Sequence, residues 1–205
     1  MAETSLDPLA DHTVPSEAME RVLEAAERLF AERGYKAVTL RDIAAEIGIR
    51  HTSLYHHVPG GKEELFIRVT ERSFNQHRMG LYQAIANARP DLRSQLYTIA
   101  DWLIFHPPMD LTRMVFSDMP SIDPEQAERL SNLAYASLLQ PIDETLRAAI
   151  SRHEIAHQNP GLIAGAILGM VESVHSVPDF AVQRSRQAMA HEMLDTLLTG
   201  LFPRE

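Results

Sequence analysis

Apolar residues recur at helical spacing along most of the chain, and the breaks between them carry helix-stop signals. Val22, Leu23, Ala26, Leu29 and Phe30 form a first stripe, with Ser16 as its cap and Gly34 at its end. Thr39, followed by Asp42, opens a second helix whose stripe is Leu40, Ile43, Ala44 and Ile47, closed by Gly48. A very short third helix is expected around Thr52 to His57, with Leu54 and Val58 turned inward, before Pro59-Gly60-Gly61 breaks the chain. A long helix then runs from about Lys62 to Ala88 over Leu65, Phe66, Val69, Phe74, Leu81 and Ile85. Pro90-Asp91, Asp123-Pro124-Glu125 and Asn159-Pro160 mark three further helix starts, proline suiting the first helical position. Pro141 falls inside the second of these and predicts a kink. A short segment from Asp110 to Asp118 lies between prolines, and a last helix covers roughly Val182 to Leu201. The expected fold is all-α, with about nine helices: three short ones, then a larger bundle. Residues 1–14 show no periodicity and are read as an arm, 15–61 as one domain and 62–205 as a second.

No apolar run approaches the length of a membrane span, and the N-terminus lacks the basic and apolar regions of a signal peptide. Cysteine is absent, which excludes disulfides and thiolate metal sites and makes a reducing cytoplasm the expected location. The net charge is −9, which taken alone argues against a nucleic-acid partner. Its distribution says otherwise. Between Arg33 and Lys62 stand Arg33, Lys36, Arg41, Arg50 and Lys62, against only Asp42 and Glu46.

Two short helices joined by a glycine-containing turn make a helix-turn-helix unit. Anchoring the third helix by Leu54 and Val58 leaves Arg50, His51, Thr52 and Ser53 at its leading end, the part of such a helix that reaches base edges. Arg50 can pair bidentately with guanine, and Thr52 or Ser53 with bases or phosphates. Tyr55 and His56 are placed for the phosphate backbone, Lys62 for a phosphate at the start of the fourth helix. Thr39 and Arg41 complete the expected DNA-contacting set.

These residues carry a resemblance. Ala25-Ala26, Leu29-Phe30, Gly34-Tyr35, Thr39, Ile43-Ala44, Gly48-Ile49, Leu54-Tyr55, His57 and Lys62-Glu63-Glu64-Leu65 resemble the DNA-binding domain of the tetracycline-repressor (TetR) family. Departures are Val58, where the family often has Phe, and the doubled Gly60-Gly61. The resemblance implies a cytoplasmic homodimer that binds a double-stranded operator and is released by a small-molecule effector, with no cofactor and no catalytic role. It also implies that the last two long helices pair with their mates. Gly161, Gly165 and Gly169, spaced by four, are the expected close-contact face of the dimer, with plain intrachain packing as the competing reading, and Leu194 and Leu198 are expected in the same interface. Trp102, Phe105, His106, Met109, Met114, Phe116, Met170 and His175 are candidate effector contacts, with ordinary core as the competing reading for each. His153-Glu154-Ile155-Ala156-His157 spells HExxH, and Glu172 could supply a third zinc ligand. The polar end of a helix is the alternative there, and it is preferred.

Overall fold

The computed structural model describes residues 17–107, 110–156, 159–182 and 184–201, the side chains of His57 and Leu201 excepted. Three helices open the chain: α1 (Glu17–Ala37), α2 (Leu40–Glu46) and α3 (His51–His57). Then follow α4 (Gly61–Asn87), α5 (Leu92–Phe105), α6 (Leu111–Arg113), α7 (Pro124–Ala134), α8 (Gln140–Ser151), α9 (Pro160–His175) and α10 (Arg186–Leu201). A π turn and a 3₁₀ turn continue α6 to Ser121, and a π turn over Tyr135–Leu139 joins α7 to α8. Counted as continuous runs, the described residues make nine helical rods, besides a single 3₁₀ turn at Asp179–Ala181, and no strand.

The caps explain several boundaries. Asp91 accepts the Ser94 amide at 2.9 Å, and Asn159 accepts that of Leu162 at 3.1 Å. Asp123 accepts two amides of α7 ahead of Pro124. Each satisfies amide groups that a helix start leaves without a partner. Pro141 gives no amide to the carbonyl four residues back, and the helix widens into its π turn just before it.

α4 ties the two halves together. Near its N-terminus Phe66 meets Phe30 edge-on at 5.3 Å and lies 4.9 Å from Tyr35, closing the small N-terminal domain over it. Farther along, Phe74, His77 and Leu81 face the bundle. α5 is central there, burying Leu92, Leu96, Ile99, Ala100 and Leu103. Its neighbours are α4, α8, α9 and α10.

Leu194 and Leu198, expected between protomers, are fully buried within the protomer's own bundle. A side chain with no exposed surface has none left to bury against a partner. Gly161, Gly165 and Gly169 differ: all three are exposed, as are Leu162 and Ala166 beside them. A Cβ built on Gly165 or Gly169 would meet nothing within 4 Å.

Candidate nucleic-acid interface

α3 is held by its inner face. Leu54 and Val58 are completely buried, while Arg50, Thr52, Tyr55 and His56 are exposed and His51 and Ser53 partly so. The turn that delivers it is set by α2. The Ile49 amide donates to the Ala44 carbonyl at 3.0 Å and the Gly48 amide to Ala45 at 3.2 Å, the paired bonds that end a helix through a left-handed residue. Gly48 supplies that residue, with φ +71°, a conformation other side chains rarely adopt.

At the front of α2, Thr39 and Asp42 cap each other. The Thr39 amide and hydroxyl donate to Asp42 Oδ2 at 2.8 and 2.6 Å, and the Asp42 amide returns a bond to Thr39 Oγ1 at 3.2 Å. Bonding by the Thr39 hydroxyl holds the Asp42 carboxyl below its ordinary range. Thr39 is therefore first a cap, and much of its hydroxyl's capacity is spent on α2.

The two acidic residues of the basic window are both engaged locally, Asp42 with Thr39 and Glu46 with Arg28 of α1. The side chains of Arg50 and Arg41 make no hydrogen bond or ion pair among the described residues. A concavity of about 460 Å³ runs between α2, α3 and α4, lined by Val38, Thr39, Leu40, Arg41, His51, Tyr55 and Lys62. Five of the nine side chains expected to contact DNA thus share one surface. His51 and Tyr55 meet edge-to-face at 5.2 Å, which fixes the Tyr55 ring on the rim.

Lys62 is more constrained than its place at a helix start suggests. Its ammonium donates to the Tyr35 carbonyl at 3.0 Å and sits 4.1 Å over the Tyr35 ring. It clamps the end of α1 to the start of α4, so its charge is presented from a fixed point. No local pattern around Lys62 points to this partner.

Residues 22–69 match the signature described as bacterial regulatory proteins, tetR family. The N-terminal domain belongs to the tetR family. The chain is 42% identical over 71 residues to the HTH-type transcriptional repressor KstR2 of Mycolicibacterium smegmatis, a match covering 35% of this chain and 34% of that protein. It is 39% identical over 71 residues to the HTH-type transcriptional regulator LmrA of Bacillus subtilis, covering 35% and 36%. The chain thus spans only about a third of the length of these curated relatives. Solved structures resemble it over nearly the whole length. The tetR-family regulator PfmR of Thermus thermophilus has a TM-score of 0.69 at 24% identity, covering 89% of this chain and 100% of that one. AibR, solved in complex with isovaleryl coenzyme A and operator DNA, has a TM-score of 0.71 at 19% identity, covering 92% and 100%. At these identities the likeness beyond the tetR-type domain is one of fold.

Two of the cavities farther along the chain bear on the expected effector residues. The larger, about 670 Å³, is lined by Pro107, Asp110, Thr112, Gly169, Glu172, Ser173, His175 and Ser176. The other, about 490 Å³, brings Glu27 of α1 to Ser73, Gln76, His77, Met79, Gly80 and Gln83 of α4, with Trp102, His106 and Pro107 beyond. Trp102 Nε1 donates to His77 Nδ1 at 3.4 Å, and His106 stacks on the indole at 3.9 Å. Burial, with the neighbouring His106, lowers the His77 pKa to about 4, so it stands neutral at physiological pH.

The expected effector residues divide accordingly. Trp102 and His106 line the smaller cavity and His175 the larger. Met114 is packed into the core, and Met170 lies against it; neither lines either of these cavities. Phe105 and Phe116 are 67% and 80% exposed and line neither. Phe105 is the last residue of α5, where the helix unwinds toward Pro107. Met109 lies outside the described residues. His77 was overlooked although its position was readable: it stands three residues after Phe74 and four before Leu81, on the apolar face of α4.

The HExxH segment is not a helix face. α8 ends at Ser151, and His153 has φ +60°. Glu154 instead accepts the Leu92 amide at 2.8 Å and pairs with Arg152, capping α5. His157 lies outside the described residues. Among the described residues no group of three or more His, Asp or Glu is placed to hold a metal ion. Glu172 lines the larger cavity, where burial first, and Asp110 next to it, raise its pKa against an opposing bond from the Leu111 amide.

Proposed function

We propose that the protein is a homodimeric, sequence-specific regulator that grips double-stranded DNA with the leading end of α3 and answers to a small molecule bound farther along the chain. The observation that carries the reading is the state of Arg50. Its side chain stands exposed, unpaired among the described residues, at the start of a helix whose opposite side is sealed by Leu54 and Val58. An arginine so placed is available to the O6 and N7 edge of guanine, with Thr52 and Ser53 following it into the groove. Tyr55, His56, Arg41 and Lys62 are assigned to the phosphate backbone. In this reading residues 15–61 form the DNA-binding unit and 62–205 the effector and dimerisation unit; the arm expected over 1–14 lies outside the described residues. The protein acts in the cytoplasm as a binding module rather than an enzyme.

Relatives support the sign and the trigger. KstR2 carries the name of a repressor, and AibR was solved with both an acyl-coenzyme A and its operator. Repression relieved by an effector is the corresponding proposal here. The partner protomer is assigned to the exposed α9 face of Gly161, Gly165 and Gly169, where small residues permit close approach of a second helix. A ligand shifts such a dimer only by binding one arrangement better than the other.

Arg50→Ala and Tyr55→Ala are expected to weaken binding to a selected operator by roughly ten- to a hundred-fold each, the loss of a base or phosphate contact. Fluorescence anisotropy on a labelled duplex reads the effect, and sedimentation checks that the fold and assembly persist. Unchanged affinity in both variants would remove α3 from the interface.

A further inference from the structure

The smaller cavity has an unusual inventory of charge. Its lining holds one carboxylate, Glu27, and neither Lys nor Arg. The guanidinium that acts on Glu27, that of Arg72, is committed to Glu20 at 2.5 Å, and the ladder of Glu20, Glu24 and Glu27 outnumbers it. Burial weighs against the charge on Glu27, and these two neighbouring glutamates add to that pressure while Arg72 relieves it. His77 brings no positive charge to the lining, because it stays neutral at physiological pH.

The second feature is the orientation of His77. It is only 5% exposed, yet it lines the cavity. Trp102 donates to Nδ1, so Nδ1 is the acceptor and the ring proton sits on Nε2. No protein partner for Nε2 exists among the described residues. The cavity therefore offers a carboxylate from α1 and a neutral N–H donor from α4, walled by Trp102, with the Gln76 and Gln83 amides alongside.

We propose that this cavity takes a small organic cation that also carries a hydrogen-bond acceptor, its ammonium on Glu27 and its acceptor on His77. An anionic ligand, whether carboxylate, phosphate or acyl thioester of coenzyme A, would meet an unpaired carboxylate and neither Lys nor Arg. A cation supplies the charge that Glu27 lacks, in a site sheltered enough for the pair to be worth more than at the surface. The bound molecule would join α1, which carries the DNA-reading unit, to α4 and α5 of the bundle. That this cation is the effector rests on the regulator reading above; the binding preference does not.

Trp102 is the sole tryptophan, so its fluorescence reports the cavity directly. Three probes of one shape separate charge from size: 2-phenoxyethylamine (cation with an ether oxygen), 2-phenoxyethanol (neutral) and phenoxyacetate (anion). The amine is expected to saturate the Trp102 signal at a concentration at least about ten-fold below the other two, as for a hydrogen bond to a charged group. Glu27→Gln should bring the amine to the level of the alcohol. Gln76→Glu, which adds a second carboxylate, should tighten the amine, and so tests the charge requirement if Glu27→Gln fails to fold. Phenoxyacetate binding as well as the amine, no saturable response to any probe, or full amine affinity in Glu27→Gln would each overturn the proposal. DNA retention by the same preparation without probe tests the regulator reading separately. Protein that holds DNA but shows no preference for the amine sinks this inference alone.

Discussion

Replacing Gly80 by Ala is expected to destabilise the protein by about 1–3 kcal/mol, the cost of overpacking a filled site. The sign is opposite to the ordinary one. Gly80 lies inside α4, and in an open helix the same change stabilises by roughly 1 kcal/mol. Here a Cβ would stand 1.9 Å from Trp102 Cζ2, with two further indole carbons at 2.2 and 2.3 Å. The indole cannot rotate aside freely, because His77 holds its nitrogen and His106 lies flat on its ring. Either α4 and α5 separate or the ring is driven toward solvent. Urea unfolding should show the loss of stability, and Trp102 emission should shift to the red. Equal stability with unchanged emission would show that the close approach of Gly80 to Trp102 does not exist in solution.

The second large effect is expected at Arg113. Its Nη2 donates to the carbonyls of Phe30 and Ala31 at 2.9 and 2.7 Å, and its Nε lies 3.5 Å from Asp118 Oδ2. Asp118 is buried, and its carboxylate otherwise accepts only the Tyr35 amide among the described residues, at 3.1 Å. Between these groups runs Gly34, at φ +79° and ψ 164°, a backbone region almost confined to glycine. The π turn after α6 is thus fastened to the end of α1 by the Arg113 guanidinium together with the Tyr35 amide. Arg113→Ala leaves a buried carboxylate without its cation, and about 3 kcal/mol is expected, the low end for a broken buried pair because Arg113 is itself a quarter exposed. Adding Asp118→Asn should recover about half of the loss, since the stranded charge causes much of it. A single-variant cost below about 1 kcal/mol, or strict additivity in the double variant, would show that the ion pair contributes little.

What could be read from the sequence was what is local. Thr39 with Asp42, Asp91, Asp123 with Pro124, and Asn159 with Pro160 each cap a helix through neighbours a few residues away. Gly48 declared its turn for the same reason, and Leu54 with Val58 fixed which side of α3 faces outward. Groups that meet across the fold left no such trace. Glu27 looks like any other residue on the charged side of α1, and nothing near Arg113 names Asp118 or the carbonyls of Phe30 and Ala31 as its partners. Periodicity also cannot tell one apolar neighbour from another. Leu194 and Leu198 lie on a stripe that would suit a partner protomer, but that stripe is filled by this chain's own helices. The HExxH spacing presumes a helix, and the chain had already left one at Ser151.

Methylation protection on a selected operator tests the role of α3 most directly, because dimethyl sulfate attacks guanine N7 in the major groove, the edge that Arg50 is assigned to cover. The expected result is protection of symmetry-related guanines about 34–36 Å apart, one helical turn, lost selectively in Arg50→Ala while the other contacts persist. Protection that survives Arg50→Ala unchanged, or a selected duplex with no protected guanine at all, would contradict the placement of this helix in the groove.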